Sequence, residues 1–244
     1  MLRIFRELPW KSLRLLVFDL DGTLIDSRRD ICNSVNAALV HCGLGELPDD
    51  VIAGHIGDGA AMLIRRALAE FPEGRGVAAD DSLFEAAFRY FLDYYRVHKL
   101  DFTCCYPGVL EALEELKTAP DGSARQMAVL TNKPVGPARA ICEGLGLSPY
   151  FFQVYGGDSF PAKKPDPMGL EALMAEAGAR PEETLMIGDS DVDVKTARNA
   201  GVCVLGCTFG LATESLLEAE PDALVDAASE WTAALAGSVA VKKF

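Results

Sequence analysis

Leu15-Leu16-Val17-Phe18-Asp19-Leu20-Asp21-Gly22-Thr23 decides the reading of this chain, because an apolar run ends in two carboxylates and a glycine turn. Leu15 to Phe18 reads as a strand, and alternate residues of a strand share a face, so Asp19 and Asp21 converge on one point just past its end. Two close carboxylates without a counter-charge leave one of them protonated. A bound Mg2+ removes that conflict. Asp19 is then an anion aimed at an electrophile such as phosphorus, and Asp21 can hand a proton to a leaving oxygen. Taken alone, the stretch also fits a plain strand followed by an Asp-Gly turn.

Three later segments supply what such a site still lacks, each at the end of its own predicted strand. Met127-Ala128-Val129-Leu130 runs into Thr131-Asn132-Lys133-Pro134, where Pro134 stops the strand and opens a helix. Thr131 and Asn132 can donate hydrogen bonds to a phosphate oxygen without adding charge. Ala162-Lys163-Lys164-Pro165-Asp166-Pro167 is a loop stiffened by prolines that carries a lysine, a point charge suited to phosphate; Lys163 reads as solvated surface charge. Leu185-Met186-Ile187-Gly188 ends in Asp189-Ser190-Asp191-Val192-Asp193, three carboxylates of which Mg2+ can take only one or two directly.

Strand-like runs at Leu15–Phe18, Met127–Leu130, Phe152–Tyr155, Leu185–Ile187, Val202–Leu205 and Ala223–Val225 alternate with helical patterns. Such alternation predicts an α/β fold, a Rossmann-like parallel sheet covered by helices, with ligands at the carboxyl ends of the strands. Between the first motif and Tyr106-Pro107-Gly108 the alternation stops. Helical spacing takes over there, from Ile31, Val35 and Leu39, through Leu63, Ala67 and Leu68, to Leu83, Phe84, Ala87, Phe88, Phe91, Leu92 and Tyr95. The expected organisation is a core of residues 1–26 and 105–244 with a helical cap of residues 27–104. The aromatic stripe reads as packing. Gly57-Asp58-Gly59 before the second of these helices is a candidate substrate-binding turn, since its glycines permit close approach and its amides face an anion.

In order, Asp-x-Asp-Gly-Thr, Thr-Asn, Lys-Pro and Gly-Asp-x-x-x-Asp resemble the four motifs of the haloacid dehalogenase superfamily of phosphotransferases, over residues 17 to 193. That resemblance implies Asp19 as nucleophile and metal ligand, and Asp21 as general acid/base that also binds the metal through its backbone carbonyl. It implies Thr131 and Lys164 as catalytic phosphate-binding groups, Asp189 as the remaining metal ligand and Asp193 as a carboxylate that orients the others. Gly22, Thr23 and Asn132 join Gly57, Asp58 and Gly59 as expected substrate contacts, and the cofactor is Mg2+. An inserted helical cap marks one large subgroup. His55 to Leu68, Thr131 to Pro134 and Lys163 to Pro165 resemble the phosphoglycolate phosphatases within it. The implied activity is hydrolysis of a small phosphorylated metabolite, 2-phosphoglycolate foremost, through an aspartyl-phosphate.

Sugar-phosphate phosphatases and pyrophosphatases share much of this pattern and remain the alternative. Thr23 disfavours a mutase and Asp21 a dehalogenase, while a catalytically silent binding protein on the same fold would not need every catalytic position filled. Composition sets outer bounds. A net charge of −13 over 244 residues, without a basic patch, argues against nucleic acid. No apolar run approaches the ~20 residues that cross a bilayer, and Met1 to Ser12 does not read as a signal peptide. Seven cysteines without a C-x-x-C pair read as reduced packing thiols. A cytoplasmic protein with a small-molecule substrate and no membrane partner is expected, its oligomeric state unspecified.

Overall fold

The computed structural model describes residues 2–6, 8–71, 81–119 and 121–235. Its described strands are β1 (Arg3–Ile4), β2 (Leu15–Phe18), β3 (Ile25–Asp26), β4 (Cys104–Cys105), β5 (Gln126–Leu130), β6 (Gln153–Tyr155), β7 (Thr184–Gly188), β8 (Cys203–Cys207) and β9 (Ala223–Val225). Seven of them form one sheet in the order β1-β9-β8-β7-β2-β5-β6, and β3 and β4 form a separate two-stranded sheet. Every neighbouring pair of the large sheet is parallel except β1 with β9. The fold is therefore the expected α/β, Rossmann-like sheet, with one antiparallel edge added. Strand β1 has only two residues, too few for a period to register in sequence.

The order explains the placement of the site. From β2 the chain builds outward through β5 to β6, then returns to the other side of β2 and builds outward again through β7, β8 and β9. Direction reverses between β2 and β7, the switch point where open parallel sheets leave a crevice. Strand β2 is the centre, paired with β5 and β7 and buried along its whole length, as its unbroken apolar run requires.

Two compact units divide the chain, Met1–Asp26 with Cys105–Phe244, and Ser27–Cys104. The first holds the seven-stranded sheet and the helices that cover it. One face of the sheet packs Leu15, Val17, Ala128 and Met186 against Leu170, Leu173, Val194 and Ala197. On the other, Phe18 meets Phe151 and Trp231 with ring centroids 5.9 and 5.3 Å apart. Trp231 is fully buried, so the residue just before Asp19 is wedged by aromatics.

The second unit is helical: α1 (Arg28–His41), α2 (Asp49–Ala53), α3 (Ala60–Ala69) and α4 (Asp81–His98). The stripe on α4 is its core: Ala87, Phe91 and Tyr95 are buried and Phe91 stacks on Tyr95 at 5.6 Å. Asp30, buried in the first turn of α1, accepts from the Phe102 amide at 3.0 Å and from the amide and hydroxyl of Thr103 at 2.8 and 2.7 Å, tying the end of the unit to its start. Short α2 was not foreseen; five residues carry little periodicity.

The core helices are α5 (Val109–Leu116), α6 (Val135–Gly144), α7 (Met168–Ala177), α8 (Asp191–Asn199), α9 (Thr213–Glu218) and α10 (Glu230–Leu235). Pro134 caps α6, as the sequence indicated, and left-handed Gly178 ends α7.

Candidate active site

Register brings the motifs level. Phe18 pairs with Ile187 on one side and Val129 on the other, so Asp19 stands one step beyond β2, abreast of Gly188 and Leu130. The Asp19 amide donates to the Ile187 carbonyl at 2.8 Å and the Thr131 amide to Tyr155 at 3.0 Å, extending the ladder to the site's edge. Asp19, Thr131, Asn132, Lys133, Lys164, Asp189 and Asp193 are all buried at these strand ends.

Lys164 Nζ lies 2.9 Å from Asp19 Oδ1 and 2.6 Å from Asp193 Oδ1. Asp19 is buried, with the Lys164 ammonium as the positive charge beside its Oδ1. Asn132 Nδ2 donates to the Lys164 carbonyl at 3.1 Å, which fixes the backbone that carries this ammonium. Thr131 Oγ1 accepts from the Lys133 amide at 3.2 Å, and that acceptor role leaves the hydroxyl proton to point elsewhere.

Asp189 is gripped from several directions. Its Oδ2 accepts from the Leu211 and Ala212 amides at 2.7 and 3.2 Å, and its Oδ1 from Thr23 Oγ1 at 3.3 Å. Thr23, expected among the substrate contacts, is fully buried and directed at Asp189. Gly22 has φ +88°, and a Cβ there would collide with the Asp189 carboxylate. Only glycine satisfies both demands.

Asp193 sits at the third position of α8, in a capping box with Ser190. Its Oδ2 accepts from the Ser190 hydroxyl at 2.7 Å and from the Ser190 and Asp189 amides at 3.1 and 3.2 Å, while its Oδ1 takes Lys164. Asp191, the first residue of α8, pairs with Lys195 at 2.6 Å.

Carboxylate oxygens of Asp19, Asp189 and Asp193 lie within 4.8 Å of one another, a buried cluster that can hold a divalent cation. Asp193 Oδ2 takes three donors and its Oδ1 the Lys164 ammonium at 2.6 Å, whereas Asp189 Oδ1 takes only the longer Thr23 contact at 3.3 Å, so Asp19 and Asp189 are the members with the freer lone pairs. The carboxylate of Asp21 is outside the cluster and turned to Lys133, whose Nζ lies 2.8 and 2.9 Å from its two oxygens.

Electrostatics point the same way. Burial pushes the Asp19 carboxyl up to about 6, with Asp193 and Asp21 adding to the rise and Lys164 opposing it. Burial likewise holds Asp189 well above the usual carboxylate range, reinforced by Asp19 and Asp193 and partly offset by the Leu211 and Ala212 amides. Burial alone would lower the Lys164 ammonium, but Asp19 and Asp193 raise it above the ordinary lysine value. Four carboxylates, Asp19, Asp21, Asp189 and Asp193, face two ammonium groups, Lys133 and Lys164. The remaining two negative charges and the raised carboxyls match a divalent cation.

Gly57, Asp58 and Gly59 belong to the helical unit, where both glycines have positive φ, Asp58 pairs with Arg66 and His55 pairs with Glu70 at 3.2 Å. Sequence reading missed two parts of the core site. Lys133 was visible beside Thr131 but its partner was not. The Leu211 and Ala212 amides follow Gly210 after β8, and a glycine past a strand's carboxyl end was the available signal.

A family model described as haloacid dehalogenase-like hydrolase matches residues 16–207. The phosphoglycolate phosphatase of Chromobacterium violaceum is 38% identical over 210 residues, 86% of this chain and 91% of that protein. That of Rhodospirillum rubrum is 39% identical over 203 residues, 82% of each. The crystal structure of a predicted phosphoglycolate phosphatase from Haemophilus somnus 129pt superposes with a TM-score of 0.82 at 32% identity, covering 90% of this chain and 96% of that one. The chain thus belongs to the haloacid dehalogenase-like hydrolases, is closely related to the phosphoglycolate phosphatases among them, and is an enzyme of the phosphoric monoester hydrolase type.

Proposed function

We infer that the protein is a Mg2+-dependent phosphatase that hydrolyses 2-phosphoglycolate to glycolate and phosphate. The observation that carries this reading is Asp19 at the sheet's switch point, its buried oxygen facing Lys164 on one side and the Asp189 cluster on the other. The names of the relatives support the substrate.

In this scheme Asp19 attacks phosphorus, and its new O–P bond forms as the bond to the leaving oxygen breaks. Asp21 gives that oxygen a proton. Water then attacks the aspartyl-phosphate, Asp21 takes its proton, and phosphate leaves with Asp19 restored. Lys164, held by Asn132, and the Thr131 hydroxyl bind phosphate oxygens. Asp19, Asp189 and the Asp21 backbone carbonyl are the residues that would hold Mg2+. When bound, the ion keeps Asp19 ionised and draws off charge developing on phosphate. Thr23 and Gly22 act through Asp189, and Asp193 through Lys164 and the turn before α8. The Gly57-Asp58-Gly59 turn is assigned, on its sequence, to reading the organic part of the substrate. A cytoplasmic location accords with the lack of any disulfide and of any membrane-crossing helix among the described residues.

The test is a panel of phosphorylated metabolites compared by kcat/KM with Mg2+ present. Phosphoglycolate should lead by about tenfold or more. Activity confined to hexose phosphates would move the substrate to a sugar phosphate and leave the chemistry standing. No turnover of any phosphomonoester, an aryl phosphate included, would reduce the chain to a binding protein.

A further inference from the structure

The proposed nucleophile and the proposed acid/base each have an ammonium beside them. Lys164 serves Asp19 and Asp193, while Lys133, from the end of β5, reaches across to the turn after β2 and contacts both oxygens of Asp21 at 2.8 and 2.9 Å. The Lys133 side chain is 7% exposed and that of Asp21 13%. An ammonium so deeply placed needs an anion beside it, and Asp21 supplies one.

The backbone under Lys133 is held at both ends. Its amide donates to Thr131 Oγ1 at 3.2 Å, its carbonyl accepts from the Gly157 amide at 2.9 Å, and Pro134 follows. Asp21 stands on a less regular foundation. It lies beyond β2, in a turn closed by Gly22 donating to Ile25 at 2.9 Å and by Leu24 donating to Leu20 at 3.0 Å. A short side chain in a turn has several staggered orientations open to it, and only one can meet a leaving oxygen above Asp19. The fixed element therefore selects the rotamer of the less fixed one.

We propose that Lys133 is a positioning residue for the acid/base, holding the Asp21 carboxylate by both oxygens in the orientation that serves the leaving group and the attacking water. Lys133 acts through Asp21 and binds neither the phosphate nor the tail of the substrate. The proposal rests on the reading of Asp21 as acid/base, and its consequences separate from those of a phosphate-binding lysine.

The experiment compares Lys133→Met, Lys133→Arg, Asp21→Asn and the double variant Asp21→Asn/Lys133→Met, with phosphoglycolate and with an aryl phosphate whose leaving group needs little protonation. Lys133→Met should lower kcat for phosphoglycolate by about tenfold to a hundredfold, with KM changed less than about threefold. The loss of phosphorylation rate should be smaller with the aryl phosphate, so phospho-enzyme accumulates and a burst precedes slow phosphate release. In the Asp21→Asn background the same substitution should change kcat less than about threefold, since its effect passes through Asp21. Lys133→Arg should recover part of the rate.

Additive losses in the double variant, or KM and the inhibition constant of inorganic phosphate rising together with Lys133→Met, would overturn the proposal and make Lys133 an anion ligand. Should Lys133→Met fail to fold, Lys133→Gln enters the same cycle. A wild-type enzyme inactive on every phosphomonoester would remove the function and not the pair. The pair is then read by a double-mutant cycle on thermal stability, where coupling upholds the contact and additivity removes it.

Discussion

Asp19 combines two demands that conflict unless a cation is near: burial that pushes its carboxyl up to about 6, and the nucleophilic role proposed for it, which requires the anion. Asp19→Asn should lower kcat by about four orders of magnitude or more, because an amide neither attacks phosphorus nor binds the cation well. Rapid quench with labelled substrate checks it, and label trapped on any other residue would remove Asp19 as nucleophile. Gly22 makes a subtler demand, since its backbone passes against Asp189 at φ +88°. Gly22→Ala should push that carboxylate aside and lower kcat about a hundredfold, with a stability loss of about 1 to 2 kcal/mol from the strained backbone. Turnover and thermal melts measure the two parts. Undiminished turnover would mean that Asp189 tolerates displacement.

Between elements, the sheet edge depends on Asp222, which is buried just before β9. Its carboxylate accepts from Arg198 of α8 at 2.7 and 2.8 Å, from the Val204 amide of β8 at 2.8 Å and from Arg6 at 3.2 Å, and its carbonyl accepts from the Phe5 amide after β1. Burial alone would raise its carboxyl, but the Arg198 and Val204 hydrogen bonds and the Arg198 charge hold it below the usual 3.8. A carboxyl lowered by folding contributes stability that is present above its unfolded value and is lost as pH falls through its folded value. Asp222→Asn should therefore destabilise the protein by about 2 kcal/mol at pH 7, allowing for the exposure of Arg198. The gap between variant and wild type should narrow as pH falls below about 4. Melts at pH 7 and at pH 3.5 compare them, and a gap independent of pH would assign the effect to packing.

At the scale of the molecule, a chain of net charge −13 gathers four carboxylates and two lysines at one sheet end. Exhaustive chelation should silence the enzyme and Mg2+ restore it, while Ca2+, larger and less strict in geometry, should bind without supporting turnover. Mg2+ should also raise the thermal midpoint, by about 2.7 kcal/mol of stability at a hundred times its dissociation constant. Asp189→Ala should lose most of that shift. Full activity after chelation, confirmed by elemental analysis of the protein, would be incompatible with the scheme.

The strand ends that carry Asp19, Thr131 and Asp189 were legible in the sequence, and with them the parallel sheet. Each is written within a few residues, as an apolar run broken by a polar turn, and strand geometry then sets which side chains share a face. The helical insertion was legible for the same local reason. What lay beyond reading were contacts that join distant stretches. Lys133 meets Asp21 across 112 positions, and the Leu211 amide meets Asp189 across 22. Thr23 turns inward to Asp189, and Trp231 closes over Phe18 from the far end of the chain. Periodicity and turn chemistry are properties of neighbours along the chain, so the sequence by itself determined the elements and the residue types at their ends. Which lysine faces which carboxylate, and which amides hold Asp189, depends on the register of β2 between β5 and β7, and only the packed sheet decides that.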